Sequence, residues 1–436
     1  MAILRWAGGA TAQAQVSTLT PGGTIEAGDI FNVVLTGEDG VAQTEAVVAT
    51  GTTVAQVCDD IVLQCSASTQ TLFRRVTFTD QTSRVDVSAN APGVPFYLTE
   101  TTTETGGGTA DDQTFAVGAT TASAGPNDYN TLANWVESDG TAPSAIPASN
   151  DEVYFSTGSH DVLYGLNQSG VDLKQFRVTS GYQGAIGQAD IPLKVNVSNV
   201  SDSVMPYLAL GSSGRRINIE GTFDQVVVTR NSGTIDIKVT DVDIFTIVGT
   251  ASKGLIRIKN GSSFLASGSG GTGLFRQTGV DGLTTIIESG VSAILQMRID
   301  GGYVETSSSV GAANADELNV HRGTVCFKGS AACKTVNVFG GTLRWQSDQH
   351  IGSSTNTPVT IFNGIVDVTK NTRVGSLNVY TPTVFNGTLD ISAETSNVAM
   401  SSPDSQQATV YFGEVIYPRV AGQTSGTTKN NNRNLI

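Results

Sequence analysis

Between about Leu193 and Phe412 the chain repeats one pattern: a short run in which apolar and polar residues alternate, a turn that contains glycine, and another such run. Two examples are residues 226–237, which read VVVTRNSGTIDI, and residues 336–345, which read VNVFGGTLRW. Alternation with a period of two predicts β-strands that bury one face. Because no amphipathic helical pattern interrupts these strands, each unit can bury its apolar face only by stacking on further units. The pattern therefore predicts a mainly β protein with a parallel β-helix (β-solenoid) over residues 193–421.

The turns recur at a spacing that suits the coils of a solenoid. From Gly323 onward the spacings are 18, 23 and 23 residues. Pairs such as Asn260-Gly261 and Asn363-Gly364 supply the left-handed backbone angles that tight corners need. Since Asn-Gly is also the strongest hairpin signal, antiparallel hairpins in a sandwich or meander remain the alternative. The turn glycines are Gly233, Gly261, Gly290, Gly302, Gly323, Gly341, Gly364 and Gly387.

The period of two also predicts which side chains point into the solenoid. Their outward neighbours are mostly Thr, Asn, Asp, Lys and Ser, so the predicted surface is polar. The predicted inward residues are Val226, Val228, Ile235, Ile237, Ile256, Ile258, Ile286, Leu295, Leu318, Val320, Val336, Val338, Val359, Ile361, Leu377, Val379, Leu389 and Ile391.

Residues 1–115 predict a small α+β unit with the element order ββαββ. Thr53 and Gln56 form a capping-box signature, and apolar residues at helical spacing continue to Cys65. The predicted strands around this helix are residues 29–35, 44–49, 73–79 and 84–89. A Thr/Gly-rich segment at 101–109 predicts a linker that ends the unit.

Residues 116–192 predict an entry segment that caps the solenoid. Its aromatic residues Trp135, Tyr154 and Phe155 can cover a first coil that would otherwise expose apolar side chains and unpaired backbone groups. The alternative is that Trp135 stacks on a sugar ring as a glycan-binding residue. Residues 422–436 predict a polar C-terminal tail.

Composition narrows the functional classes. With 39% apolar and 15% charged residues and 49 glycines, the chain has the profile of a turn-dense β protein that folds. A net charge of −14 without a Lys/Arg cluster predicts no nucleic-acid partner. The chain contains no apolar stretch of about 18 residues, so the sequence predicts no membrane span. The first residues lack the apolar core of a signal peptide, which favours synthesis in a cytoplasm.

The cysteines do not predict a metal site. Cys58 with Cys65, and Cys326 with Cys333, are each seven residues apart, which is not Cys-x-x-Cys spacing. Buried free thiols are the interpretation for the first pair. A disulfide between Cys326 and Cys333, whose strands could meet across a turn, stays open. We expect no metal and no cofactor.

The acidic residues of the solenoid are the candidates for catalysis, because glycan-cleaving enzymes use paired carboxylates. Asp241 and Asp243 form the best pair, since residues two apart on a strand point the same way. The alternative is a solvated acidic surface that keeps a repeat protein soluble and discourages edge pairing. The region has few aromatic residues for a sugar platform, and no histidine stands in a catalytic motif, so we expect no enzyme. The other candidates are Asp236, Asp300, Glu305, Asp367 and Asp390.

Two segments carry a resemblance to known proteins. The ββαββ order with the ending APGVPF at 91–96 resembles small modules of bacteriophage tail and virion proteins and of flagellar hook-associated proteins. The Asn-Trp at 134–135, followed by a Pro-rich loop and DEVYF at 151–155, resembles the entry segment of some autotransporter-type and phage β-solenoids.

The resemblance implies a structural protein of a tailed-bacteriophage virion, either a capsid decoration or a tail fibre or spike. It also implies a homotrimer, contacts with other virion proteins through the N-terminal unit, and host attachment through a surface glycan. A polysaccharide-degrading tailspike and a bacterial autotransporter-like adhesin are the alternatives.

Overall fold

The structure is a computed structural model, and it has a mainly β fold, with 55% of residues in strands and 6% in helices. It describes residues 2–428 except for 106–111, 198–206, 213, 232, 249–253, 266–271, 279–281, 293, 308–316, 330–332, 348–357, 363, 369–371, 374–375, 380–382, 391–409 and 417–426. Apart from strand Thr427–Thr428, the predicted polar tail lies outside the described residues.

A parallel β-solenoid of about eight turns occupies residues 152–367, as the alternating pattern predicts in kind, but it begins before the predicted start at residue 193. Its strands pair in parallel register with the equivalent strands one turn away, which excludes the antiparallel-hairpin alternative for this region. Its first face contains β10 (Glu152–Phe155), β12 (Gln175–Val178), β14 (Tyr207–Ser212), β16 (Gln225–Asn231), β18 (Ile244–Val248), β20 (Leu274–Thr278), β24 (Thr335–Val338) and β26 (Pro358–Ile361). Its second face contains β11 (Asn167–Asp172), β13 (Leu193–Asn196), β15 (Arg216–Thr222), β17 (Thr234–Thr240), β19 (Leu255–Ile258), β21 (Thr284–Ile287), β25 (Thr342–Ser347) and β27 (Gly364–Val368).

Two long strands take part in both faces, and a few short strands follow the main stack. The long strands are β22 (Gln296–Thr306) and β23 (Glu317–Gly329). The later strands are β28 (Thr372–Arg373), β29 (Ser376–Val379), β30 (Thr383–Asp390), β31 (Val410–Ile416) and β32 (Thr427–Thr428).

The inward side chains form columns along the solenoid axis. In one column the strand register stacks fully buried residues of successive turns, and burial of each contributes roughly 1.5–3 kcal/mol. The predicted inward positions from Val226 to Ile258 and from Leu318 to Val338 are buried. The column contains Val153, Phe176, Leu208, Val226, Phe245, Phe275, Met297, Leu318 and Val336.

The inward assignment of Ile286 is wrong by one residue. The register pairs Thr285 with Ile256 and Ile287 with Ile258, so these two face the core and Ile286 faces outward. Buried Thr285 donates its hydroxyl to the Gln277 side-chain oxygen at 2.6 Å. A polar residue thus takes an inward position because it has a partner inside the core. Six further predicted inward positions lie outside the described side chains: Val359, Ile361, Leu377, Val379, Leu389 and Ile391.

Glycines stack at one corner of the last turns. Gly323 and Gly341 have φ of 83° and 81°, angles that residues with a Cβ rarely adopt. A Cβ on Gly341 would lie 2.5 Å from the carbonyl oxygen of Gly323, and one on Gly323 would lie 2.4 Å from that of Gly302. The repeated glycine therefore lets neighbouring turns approach closely at this corner.

The solenoid begins with residues from the very start of the chain. Strand β1 (Ile3–Trp6) pairs in parallel with β10 and antiparallel with β9 (Trp135–Glu137). This differs from the expected boundary, which assigned all of residues 1–115 to the N-terminal unit. That unit is instead an insertion between β1 and β9.

The N-terminal unit consists of two antiparallel sheets and one helix. One sheet has the order β5 (Val76–Asp80), β6 (Val85–Ala89), β2 (Val16–Gly23), β8 (Gln113–Thr121). The other has the order β4 (Ala42–Val48), β3 (Ile30–Thr36), β7 (Tyr97–Thr103). Helix α1 (Val54–Ser66) begins at the predicted cap, where the Thr53 hydroxyl accepts from the Gln56 amide. Short 3-10 helices occupy Phe73–Arg75 and Leu132–Asn134.

The Thr/Gly-rich segment at 101–109 does not end this unit. Strand β7 includes the first three residues of this segment and β8 follows it, and both strands belong to the unit, so the unit extends to Thr121. The linker expectation fails because the polar β7 has no apolar alternation to mark it as a strand.

The four cysteines are buried and free. In helix α1, burial raises the pKa of the Cys58 thiol to about 11 and that of the Cys65 thiol to about 12. Cys326 lies within hydrogen-bond distance of the Gln346 side chain, 3.4 Å away, and Cys333 donates to the Thr335 carbonyl at 3.2 Å. The disulfide left open by the sequence is thus not formed in this structure.

Candidate functional site

Trp135 lies inside the capped end of the solenoid. It is 1% exposed, its indole N–H donates to the Tyr129 carbonyl at 2.8 Å, and its ring meets Trp6 edge-on at 5.1 Å. Phe155 packs against both tryptophans. A sugar ring stacks on an exposed aromatic face, and Trp135 presents none, so the structure argues against it as a glycan-binding residue. The sequence does not reveal this because Trp6, 129 residues earlier, supplies the cover.

Asp241 and Asp243 do not lie on a strand as expected. Strand β17 ends at Thr240, Asp241 has a left-handed φ of 55°, and Asp243 stands just before β18. Their side chains therefore occupy a corner rather than one strand face, which removes the geometric reason for pairing them.

Hydrogen bonds to the next turn engage both of these carboxylates. Asp241 accepts from the Ser263 hydroxyl at 3.2 Å. Asp243 accepts from the Thr272 hydroxyl at 3.0 Å and from the Thr272 amide. These contacts link successive turns and stabilise the corner.

One neighbour of Asp243 has a shifted pKa. Burial raises the pKa of Asp224, and the charges of Asp172 and Asp243 raise it further. Asp224 also contacts Asp243 through its backbone carbonyl, which accepts from the Asp243 amide at 3.0 Å. A carboxyl with a raised pKa beside a second acidic residue is an arrangement that glycosidases use for acid–base chemistry.

Other outer carboxylates form ion pairs along or between strands. Asp236, with a side chain 7% exposed, lies 3.0 Å from Arg257 and 3.6 Å from Arg216, on the turns to either side. Glu305 lies 2.7 Å from Lys328 and accepts from the Tyr303 hydroxyl at 2.9 Å. Asp300 pairs with Arg298 at 3.1 Å on its own strand. Asp367 and Asp390 stand on the later strands β27 and β30.

A polar groove of about 360 Å³ follows these ion pairs on the second face. Its charged lining alternates in sign, with Glu220 beside Lys238 at 2.8 Å and Lys259 beside Glu288 at 3.1 Å. Such a lining can hydrogen-bond a hydroxyl-rich ligand, but both of its lysines are already paired with glutamates on neighbouring turns.

Three aromatic rings stack on the outer surface at the other end. The rings of His321, Phe339 and Phe362 lie nearly parallel. The ring centroids are 4.5 Å apart between His321 and Phe339 and 4.7 Å apart between Phe339 and Phe362. Because each inner ring face covers its neighbour, the stack presents mainly ring edges. It therefore suits contacts between turns better than stacking on a sugar.

The N-terminal unit contacts the solenoid through Glu38. Its two carboxylate oxygens accept from the backbone amides of Gly165 and Leu166, each at 3.2 Å. Burial raises the pKa of Glu38, and the charge of Asp128 raises it further, although the two backbone hydrogen bonds oppose the shift. A cavity of about 180 Å³ lies beside this contact, lined from both parts by residues such as Leu35, Phe96 and Ile191.

One group of carboxylates in the N-terminal unit was not apparent from the sequence. Glu26, Asp29 and Glu104 bring oxygen atoms within 4.8 Å of one another, a spacing that could hold a metal ion. Their separation along the chain gives no metal-binding motif, so only the strand register reveals them.

Comparisons with protein-family models, with curated proteins and with solved structures gave no match for this chain. Within the described part of the chain, no helix is long and apolar enough to cross a membrane.

Proposed function

We propose that the protein is a non-enzymatic structural protein displayed on a bacteriophage particle, as a capsid decoration or as a tail fibre or spike. The observation that carries the proposal is the insertion of the N-terminal unit between β1 and β9. Both ends of the unit are thereby fixed at the capped end of the solenoid. This arrangement suits a module that docks to an assembly while the solenoid projects from it.

The solenoid surface supports display rather than catalysis. Asp236, Glu305 and Asp243 engage partners on neighbouring turns, so these carboxylates stabilise the stack. Outward residues of a solenoid can change without disturbing the core, which suits a surface that meets a host. In this proposal the chain forms a homotrimer, binds other virion proteins through the N-terminal unit, and contributes to host attachment.

Purified particles test this function. The protein should co-purify with phage particles from the source through a density gradient and a high-salt wash, as measured by mass spectrometry. The free chain should scatter light as a trimer. Recovery of the protein only from the soluble cell fraction would contradict display on a virion.

A polysaccharide-degrading tailspike is the second candidate, and the raised pKa of Asp224 beside Asp243 favours it. It predicts that purified chain releases reducing ends from host capsule or lipopolysaccharide. Asp224→Asn and Asp243→Asn should each abolish that release, while Asp300→Asn, in a separate ion pair, should not. Equal release by all variants would exclude this corner as the site.

A further inference from the structure

Three carboxylates converge at one end of the N-terminal unit. Glu26 and Asp29 stand in the loop between β2 and β3, and Glu104 directly follows β7. The antiparallel register pairs Ile30 with Thr103, so Asp29 and Glu104 continue this pairing by one residue. Asp29 is fully buried, and the other two are partly buried. Carboxylates at this spacing repel one another when they are ionised, and a bound cation offsets that repulsion.

One oxygen of this cluster is buried without a hydrogen-bond partner among the described residues. The Glu26 Oε2 atom is shielded from solvent and accepts no hydrogen bond from the described residues. Folded proteins leave few buried polar atoms without a partner, and a bound ion is one of the common explanations.

Gln113 provides an independent observation at the same end of the unit. It is 4% exposed, and neither its side-chain oxygen nor its nitrogen has a hydrogen-bond partner among the described residues. Phe115 contacts Phe31 at 5.3 Å, and a step of two residues along each strand leads to Gln113 and to Asp29. Gln113 also pairs with Gly23, where β2 runs into the loop that carries Glu26. Its buried amide therefore faces the end of the core where the carboxylates meet.

We propose that this end of the N-terminal unit binds a divalent cation, Ca²⁺ in preference to Mg²⁺, through Glu26, Asp29 and Glu104. The amide oxygen of Gln113 is the candidate fourth ligand. Carboxylate and amide oxygens are the ligands that Ca²⁺ takes, at about 2.3–2.6 Å, so two ligands of one ion lie at most about 5 Å apart. The observed limit of 4.8 Å fits this span. Mg²⁺ requires a tighter octahedron at about 2.1 Å, which loops of this spacing would have to contract to form.

The bound ion would join the two sheets of the unit. Glu26 and Gln113 adjoin β2 and β8 of one sheet, whereas Asp29 and Glu104 adjoin β3 and β7 of the other. The cation would replace repulsion between these loops by shared ligation, and it would stabilise the unit without any contribution from the solenoid.

Calcium binding by the full chain tests the site. After treatment with EDTA and removal of the chelator, titration with CaCl₂ in a calorimeter should show one ion per chain, and MgCl₂ should bind at least tenfold more weakly. Glu26→Gln and Glu104→Gln should each weaken Ca²⁺ at least tenfold. Glu100→Gln, which removes a carboxylate from the same strand outside the cluster, should leave the affinity unchanged.

Thermal unfolding gives a second readout that does not depend on a variant losing its fold. In EDTA, Glu104→Gln should be at least as stable as the original chain, because one repelling charge is gone. In millimolar CaCl₂ the original chain should gain a higher midpoint than the variant. No heat and no midpoint shift with CaCl₂ in the original chain, equal Ca²⁺ affinity in Glu104→Gln, or tighter binding of MgCl₂ would each overturn the proposal.

Discussion

The solenoid and the N-terminal unit treat their carboxylates in different ways. In the solenoid, the parallel register brings Asp236 next to Arg257 and Glu220 next to Lys238, one turn apart. In the N-terminal unit, Glu38 accepts backbone amides of another part of the chain, and Glu26 lies beside two further acids. A stack of turns places an opposite charge at a regular distance, whereas loops that occur once must find each partner separately. The regular surface therefore gains stability from repeated pairing, whereas each contact of the N-terminal unit depends on one place in the chain.

The cap at the start of the solenoid provides the largest expected effect. Trp135→Ala should lower the free energy of unfolding by about 3–5 kcal/mol, because it leaves a cavity among Trp6, Tyr129 and Phe155. Chemical denaturation measures the loss, and Leu132→Ala, at a position that is 41% exposed, is the control. If both variants lose the same stability, the cap does not support the stack.

A glycine corner tests whether close approach between turns is needed. Gly341→Ala should cost about 2–4 kcal/mol, since it adds a strained left-handed residue and a clash with the Gly323 carbonyl. Gly140 has a similar φ of 88° but open space around it, so Gly140→Ala should cost only about 1 kcal/mol. Equal losses by denaturation would assign the whole effect to the backbone angle rather than to stacking.

The ion pairs test the regular arrangement of charge. Asp236→Ala should lower the free energy of unfolding by about 1–3 kcal/mol, because the loss of this buried carboxylate removes the ion-pair partner of two arginines. Asp300→Ala, which breaks a more exposed pair within one strand, should cost at most about 1 kcal/mol. The difference in unfolding free energy between the two variants should shrink in 1 M NaCl, and a larger loss for Asp300→Ala would reverse the ranking.

The smallest expected effect is that of pH on the contact between the N-terminal unit and the solenoid. The pKa of Glu38 is raised above its ordinary value of 4.5. Between these two values the docked carboxyl keeps a proton that the unfolded chain has released, so low pH favours the docked state. Its contribution is therefore complete below pH 4.5 and is lost as the pH rises through the raised pKa. Hydrogen exchange at Gly165 and Leu166, corrected for intrinsic rates, should show stronger protection toward pH 4.5.

Glu38→Gln should remove this pH dependence while keeping an oxygen that can accept one of the two amides. Asp39→Asn, in the same turn, is the matched control and should retain the dependence. If Glu38→Gln leaves the pH profile unchanged, the pH dependence belongs instead to Asp128, whose pKa is also raised by burial.

Local patterns predict the solenoid well because its signal repeats. The alternation around Ile235 and Val336 gives both the strand type and the buried face, and the turn glycines recur with each coil. At Ile286 the run of two threonines and two isoleucines fits either register, and only the neighbouring turn decides. Single events are harder to predict: the four residues of β1 show no periodicity, yet they complete the cap.

The candidate sites depend even more on distant residues. Trp135 is predicted correctly as an aromatic cap, but its exposure depends on Trp6. Asp241 and Asp243 are misplaced because a corner interrupts the strand that alternation would extend. Glu104 joins Glu26 and Asp29 only through strand pairing, which one sequence does not display.

Gold labelling of two epitopes on intact particles tests display by the solenoid most directly. One tag is inserted after Ser289 in an exposed solenoid turn, and the other after Thr82 in an exposed turn of the N-terminal unit. If the unit docks and the solenoid projects, antibodies should label the Ser289 tag on intact particles and the Thr82 tag only after disruption. Labelling of Thr82 alone, or of neither tag on particles that contain the protein, would contradict this arrangement.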